Sequence, residues 1–445
     1  MLVSMKPLGV LLLLSLVFAF LLPAEVPGEW PRWRGPFDTG VARGDAPLEW
    51  SDTKNVAWKL AVPGLGNSSP VIWGDRLFLT TAVPVEGGPA QTGDGAGGFG
   101  QGARGAQPAH RLVVMAVDRK SGKVIWEQTA ATAVPHEGFH RRYGSFASNS
   151  PVTDGKRLYT FFGSRGAFCY DLNGKLLWKY EPGVQMRMRN AFGEGTAAVL
   201  DQDTLLLNFD HEGPSFLVAL DAATGKPRWK VDRDEISNWS PPLVITHNGV
   251  RQAILAAPNK VRSYNMANGE LIWECAGLGH NTIPAPVVHK DTVLVMSGYR
   301  NPKLMAIKLG GKGDLTGTDS VVWSTVRGAA YTASPVIHDG RLYVIMDSGL
   351  FSCFDATTGE AHYERTRLPK PYNFKASPVA ANGKLYLSTE EGDVVVVKMG
   401  NTFEVLATNT LADQVFISSP AFAGGEIYLR STTHLFAIRE GAGAR

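Results

Sequence analysis

Cysteine is scarce in this chain: there are three, Cys169, Cys275 and Cys353, and no two are adjacent. An odd, scattered set excludes a disulfide framework. Charge of one sign is also missing, since 44 Lys and Arg stand against 41 Asp and Glu, a net charge of +3. The basic runs Arg141-Arg142 and Arg187-Met188-Arg189 are too short to follow a phosphate backbone, which excludes nucleic acid as a partner. No phosphate-cradling glycine loop, Ser-His-Asp spacing or paired-carboxylate motif stands out. Long apolar runs are lacking too, with one exception at residues 8–22, broken only by Ser15.

That run follows Lys6 and precedes Pro23-Ala24, the pattern of a secretory signal peptide over residues 1–24 with cleavage after Ala24. It is shorter than the roughly 17 to 25 residues of a membrane span. The reading is therefore an exported protein, periplasmic or associated with the cell envelope. An uncleaved segment, the alternative, would hold the protein near a membrane. No cysteine follows the run to carry a lipid anchor.

What the chain does contain is repetition. Residues 219–229 read Ala-Leu-Asp-Ala-Ala-Thr-Gly-Lys-Pro-Arg-Trp, and near copies end at Trp126, Trp178, Trp273, Trp323 and Tyr363. Phe216, Val218 and Leu220 alternate as a half-buried strand does, Asp221 to Gly225 supply turn chemistry, and a second strand begins at Trp229. The copy ending at Trp323 has its turn expanded by residues 310–319. Each unit opens on a further strand, as in Ser69-Pro70-Val71, Ser150-Pro151-Val152, Ser334-Pro335-Val336 and Ser377-Pro378-Val379. Tight turns such as Asp154-Gly155, Asp339-Gly340 and Asn382-Gly383 lead to the next strand. A unit is thus four short antiparallel strands.

First strands start near residues 70, 151, 197, 241, 286, 335, 378 and 420, steps that match the blades of a β-propeller. We expect an all-β, eight-bladed propeller over residues 55–440. The long first step reflects a Gly-rich insertion at 84–109, expected to be disordered. The last unit stops before its Trp strand, and an orphan strand around Trp58 supplies the missing piece, closing the ring and hiding sheet edges. Cys169 and Cys353 occupy the place of Ala219, which puts them blades apart, so all three cysteines are expected to be small buried hydrophobes. Residues 25–54 hold Trp30-Pro31-Arg32-Trp33-Arg34-Gly35-Pro36, read as a clasp on the folded body, with a ligand-binding aromatic site as the sharper alternative.

The pattern Ala-x-Asp-x-x-Thr-Gly-Lys-x-x-Trp is similar to the tryptophan-docking motif of quinoprotein alcohol dehydrogenases. The chain resembles the PQQ-like, BamB-like β-propeller repeat proteins of the exported bacterial type. That resemblance implies the fold, because the motif reports blade packing and not chemistry. Quinoprotein dehydrogenases carry a vicinal Cys-Cys ring over the quinone and hold Ca²⁺ with carboxylate and amide oxygens. This chain has no adjacent cysteines and no Cys-x-x-Cys-His haem site. PQQ with Ca²⁺ is therefore the less favoured expectation, and no cofactor the favoured one.

In a four-stranded blade, the loop between the second and third strands and the loop to the next blade emerge on one face. Those loops carry the chain's unlike residues. They include His136, His140 and Arg141, then Arg187, Arg189 and Glu194, then Asp210, His211 and Glu212, and Arg300. We take these ten as candidate ligand-binding residues, with no catalytic assignment. Asp210-His211-Glu212 is the most metal-like group, with His136 and His140 within reach across blades. An Arg-carboxylate network joining Arg187 or Arg189 to Glu194, Asp210 or Glu212 is the competing arrangement. The function expected is a non-enzymatic binding or scaffold module that takes a protein, peptide or polar ligand on this face. A PQQ-dependent oxidoreductase is the alternative.

Overall fold

The computed structural model describes residues 29–87, 90–91 and 107–443. Eight antiparallel blades form a ring, with no α-helix among the described residues. Blade 1 runs from an inner strand Val71–Trp73 to an outer strand Val124–Ala133, blade 2 from Val152–Thr153 to Leu176–Tyr180, and blade 3 from Val199–Asp201 to Pro227–Arg233. Blade 4 runs from Leu243–His247 to Leu271–Cys275, blade 5 from Val287–His289 to Val321–Thr325, blade 6 from Val336–His338 to Ala361–Arg367, and blade 7 from Val379–Ala381 to Val405–Thr410. Blade 8 takes Ala421–Ala423, Glu426–Arg430 and His434–Gly443 from the C-terminal end, and its outer strand is Lys54–Ala61. The orphan strand closes the ring.

Burial explains the strand compositions. Middle strands lie between two neighbouring blades, so Thr204–Phe209 is buried at every position, while the outer strand Pro227–Arg233 is exposed or half-buried up to its last residue, the buried Arg233. Within each signature the small residue sits directly across from the large one: Ala219 pairs with Trp229, Ala116 with Trp126, Cys169 with Trp178 and Cys353 with Tyr363. All three cysteines are free and buried.

The outer-strand tryptophans tie consecutive blades together. The indole N–H groups of Trp58, Trp126, Trp178 and Trp229 donate to the carbonyls of Arg119, Leu172, Ala222 and Met266 in the next blade, at 2.9 to 3.1 Å. The signature glycine has two duties at these places. Gly225 adopts φ +70°, and a Cβ there would meet the Trp178 ring at 2.5 Å. Trp273 is covered differently, because the expanded turn lays Gly313–Asp314 in parallel on Leu271–Cys275 and packs Leu309 and Leu315 against blade 4. Trp273 is fully buried as a result.

The candidate signal segment, residues 1–24, and the centre of the 84–109 insertion lie outside the described residues. At the insertion's described ends, the blade 1 ladder continues to Pro84 and His110, and Ala90–Gln91 pairs with Gln107–Pro108.

The segment from Trp30 to Ala42 crosses the propeller axis. Trp30 exchanges backbone hydrogen bonds with Ile72, and Thr153 N–H donates to Pro31 O. The Arg32 guanidinium donates to Leu200 O, Arg34 to Pro335 O, and Val41–Ala42 pairs in parallel with Val379–Ala381. Blades 1, 2, 3, 6 and 7 are bridged by this one stretch, and the Trp33 indole donates to Ser419 Oγ of blade 8 at 3.0 Å.

Candidate functional site: a blind axial funnel on the loop face

The recurrent Ser before each inner strand builds a collar around the axis. Ser69 N–H donates to Ser150 Oγ, Ser419 N–H to Ser69 Oγ, Ser377 N–H to Ser419 Oγ, Ser334 N–H to Ser377 Oγ and Ala285 N–H to Ser334 Oγ, all at 2.8 to 2.9 Å. On the remaining arc, Ser240 Oγ donates to Pro284 O and Thr196 Oγ1 to Ser240 O. Each bond joins a blade to its neighbour, so the hydroxyls are spent on closure.

Above the collar is a cavity of about 200 Å³. Trp33 floors it, and Tyr143, Phe192, Trp239 and Tyr331 line its walls. These wall residues come from the loops between blades, so the mouth opens on the loop face while the crossing segment shuts the far end. Lys375 lines the wall, half-buried, with Nζ 2.7 Å from Asp347 Oδ2, 3.3 Å from Glu390 Oε1 and 4.7 Å above the Tyr143 ring. Arg142 adds a second cation on Glu390 at 2.8 Å. His140 stacks on Tyr143 with ring centroids 3.6 Å apart. Burial, aided by Lys375 and Arg142, lowers the His140 pKa below its ordinary value. Burial pushes the Tyr143 and Tyr331 hydroxyls up to about 12. The funnel is thus largely aromatic, with His140, Lys375 and Glu194 as the ionisable groups of its lining.

Beside the funnel lies a smaller cavity of about 50 Å³, lined by His136, Glu137, Phe162, Ser164 and Glu194 among others. Glu194 borders both. Its carboxylate accepts from Ser164 N–H and Ser164 Oγ, each at 2.5 Å, and lies 3.4 Å from His136 Nε2. Glu137 accepts from Met188 N–H at 3.1 Å. Burial, with the charge of Glu194 adding to it, pushes the Glu137 carboxyl up to about 8, and burial raises Glu194 as well.

Of the ten residues singled out by sequence, His140 and Glu194 line the funnel, and His136 and Glu194 meet at the smaller cavity. Arg187, Arg189, His211 and Glu212 form one polar group. Arg189 Nε is 3.3 Å from Glu212 Oε1, Arg187 N–H donates to His211 Nδ1 at 3.2 Å, and His211 Nε2 is 3.2 Å from Pro214 O. Asp210 points the other way, into a fully buried bidentate pair with Arg233, and accepts from Asn208 and Asn238. Arg141 is exposed, and Arg300 is exposed over the Tyr299 ring. Lys375, Ser164 and the Ser collar were not singled out. The collar was visible as the repeated Ser-Pro, whereas nothing in the sequence sets Lys375 apart from Lys370 in the same loop.

A ring of four-stranded blades with Trp-bearing outer strands defines a PQQ-like β-propeller. The family model described as "Outer membrane protein assembly factor BamB" matches residues 110–210 and 184–401, and the chain belongs to that family. It is 24% identical over 360 residues to tetrathionate hydrolase of Acidithiobacillus ferrooxidans, which covers 72% of this chain and 67% of that protein. It is 27% identical over 221 residues to polyvinylalcohol dehydrogenase of a Pseudomonas species, covering 46% of this chain and 29% of that protein. Among solved structures, BamB of Moraxella catarrhalis superposes with a TM-score of 0.55 at 10% identity, covering 87% of this chain and 97% of that one. Quinohemoprotein alcohol dehydrogenase of Comamonas testosteroni does so with 0.63 at 11%, covering 94% and 81%. At these identities the two structures establish the fold alone.

Proposed function

We propose that this is an exported, non-enzymatic binding module that receives a protein, peptide or small polar ligand on its loop face, with the ligand's leading group entering the axial funnel. The observation that carries the reading is the crossing segment. By placing Trp33 under the collar it turns an open axial channel into a cavity with one mouth, the concave, mostly apolar shape that ligand sites take. The likeness to BamB is compatible with a protein partner on a propeller of this kind.

The alternative is a PQQ-dependent oxidoreductase, and the lining speaks against it. The three cysteines are buried within blades 2, 4 and 6, away from the funnel. Lys375, the cation in the lining, is already paired with Asp347 and Glu390, and Glu194 adds a carboxylate. A ligand bearing several carboxylates would find no free cation among the described lining residues.

The test is a melting-temperature screen of short peptides, saccharides and PQQ with Ca²⁺ against the full chain and a Tyr143→Ala, Tyr331→Ala variant. A ligand that stabilises the wild type and fails to stabilise the variant supports the funnel. Stabilisation by PQQ with Ca²⁺ at large excess would instead favour the oxidoreductase.

A further inference from the structure

Two half-buried carboxylates, Glu137 and Glu194, stand close together with no ion pair to lysine or arginine among the described residues. One oxygen each of Glu137 and Glu194 and one ring nitrogen of His136 all lie within 4.8 Å of one another. The nearest guanidiniums are engaged elsewhere: Arg165, which lines the same cavity, donates to Val134 O, and Arg187 donates to Glu212 O. The side chains of Glu194 and His136 are 14% and 17% exposed, so water screens them little. Two carboxylates this close can both ionise only when a positive charge stands between them; otherwise one keeps its proton.

The surroundings are arranged to hold the groups still. The two Ser164 donors fix Glu194 from behind, and Met188 N–H fixes Glu137. Gly163, at φ +53°, leaves room for the Glu194 carboxylate where a Cβ would overlap it. His136 Nε2 donates to the carbonyl oxygen of Met186 at 2.7 Å, so an ion would replace the Nε2 proton and meet that oxygen as well. The adjoining cavity of about 50 Å³ is large enough for a water molecule, whose share of liquid volume is about 30 Å³.

We infer that His136, Glu137 and Glu194 form a binding site for one divalent transition-metal ion of the Zn²⁺ type, at the junction of blades 1, 2 and 3. One imidazole nitrogen and two carboxylates are a ligand set of Zn²⁺ sites that keep a position open, whereas Ca²⁺ and Mg²⁺ sites are built from oxygen. Ligands about 2.1 Å from a tetrahedral ion stand roughly 3.4 Å apart, so from the present limit of 4.8 Å a contraction of at most about 1.4 Å suffices. The adjoining cavity supplies the open position with water. This site differs from the Asp210-His211-Glu212 group, whose side chains are taken by Arg233, Arg187, Pro214 and Arg189.

The experiment uses the full chain stripped by chelator and then titrated with Zn²⁺ by calorimetry and with Co²⁺ by visible absorbance. We expect one equivalent of Zn²⁺ per chain and d–d bands of a bound Co²⁺ that Zn²⁺ abolishes. Glu194→Gln and His136→Asn, checked for a native circular dichroism spectrum, should each weaken Zn²⁺ about tenfold or more, and His434→Asn should not. Should the variants fail to fold, the wild-type titrations decide: no uptake of either ion overturns the site. Uptake unchanged in both folded variants overturns it equally.

Discussion

Asp210 and Arg233 show how far a residue's role depends on what faces it. Both side chains are fully buried, and the pair is closed by Asn208, Asn238 and Tyr264. Asp210→Ala leaves a guanidinium uncompensated in the interior, an expected loss of about 3–5 kcal/mol in urea unfolding. Its neighbour His211 titrates in the opposite sense to a paired histidine. Burial lowers the folded-state pKa below the ordinary 6.5, so its stability contribution is complete above that pH and is lost as pH falls through the folded value. The stability advantage of the wild type over His211→Gln should therefore narrow between pH 7 and pH 5, measured by thermal unfolding. Cys169 and Cys353, with thiols pushed by burial up to about 12, should resist alkylation in the native protein and react fully in urea. Asp210-His211-Glu212 was legible as a cluster but not as three separate environments. Arg233 lies on the blade's fourth strand, and no local pattern announces that contact.

At the scale of the element, nearly every strand could be read from repetition, because turn residues and alternation recur at fixed offsets. The positions of Ala219 and Gly225 were legible as a motif, and the structure gives each a reason, a small residue opposite Trp229 and a seat for Trp178. Gly225→Ala should cost about 1–3 kcal/mol through backbone strain and overlap with the indole. Gly249→Ala, at φ +76° with open space around it, carries the strain alone and should cost less. Comparing the two melting temperatures separates packing from backbone. The parallel pairing of Gly313–Asp314 with blade 4 was not legible, since residues 310–319 read as an enlarged turn with no strand alternation. Replacing them with a short Thr-Gly turn should expose Trp273 and raise its quenching by acrylamide.

For the whole molecule, ring closure and the proposed binding funnel both draw on the N-terminal stretch. The N-terminal stretch gives blade 8 its outer strand and lays the floor of the funnel, so chain ends that could have frayed are held in the ring. A chain starting at Val62 would leave the edge of His434–Gly443 unpaired, and light scattering should report aggregation. The eight-blade count was legible because the two half-units complement each other. The funnel was not, since nothing local says that Trp33 lies on the axis.

The central claim is that ligands enter this funnel, and it can be read directly by labelling the 11 tryptophans with 5-fluorotryptophan. Trp33 and Trp239 resonances, assigned with Trp33→Phe and Trp239→Phe, are followed by fluorine NMR while the peptide or saccharide that most raises the melting temperature is added. The account predicts that Trp33 and Trp239 shift together while Trp58, Trp126 and Trp178 at the blade junctions stay in place. Shifts confined to the junction tryptophans, with Trp33 and Trp239 unmoved at saturation, would contradict it.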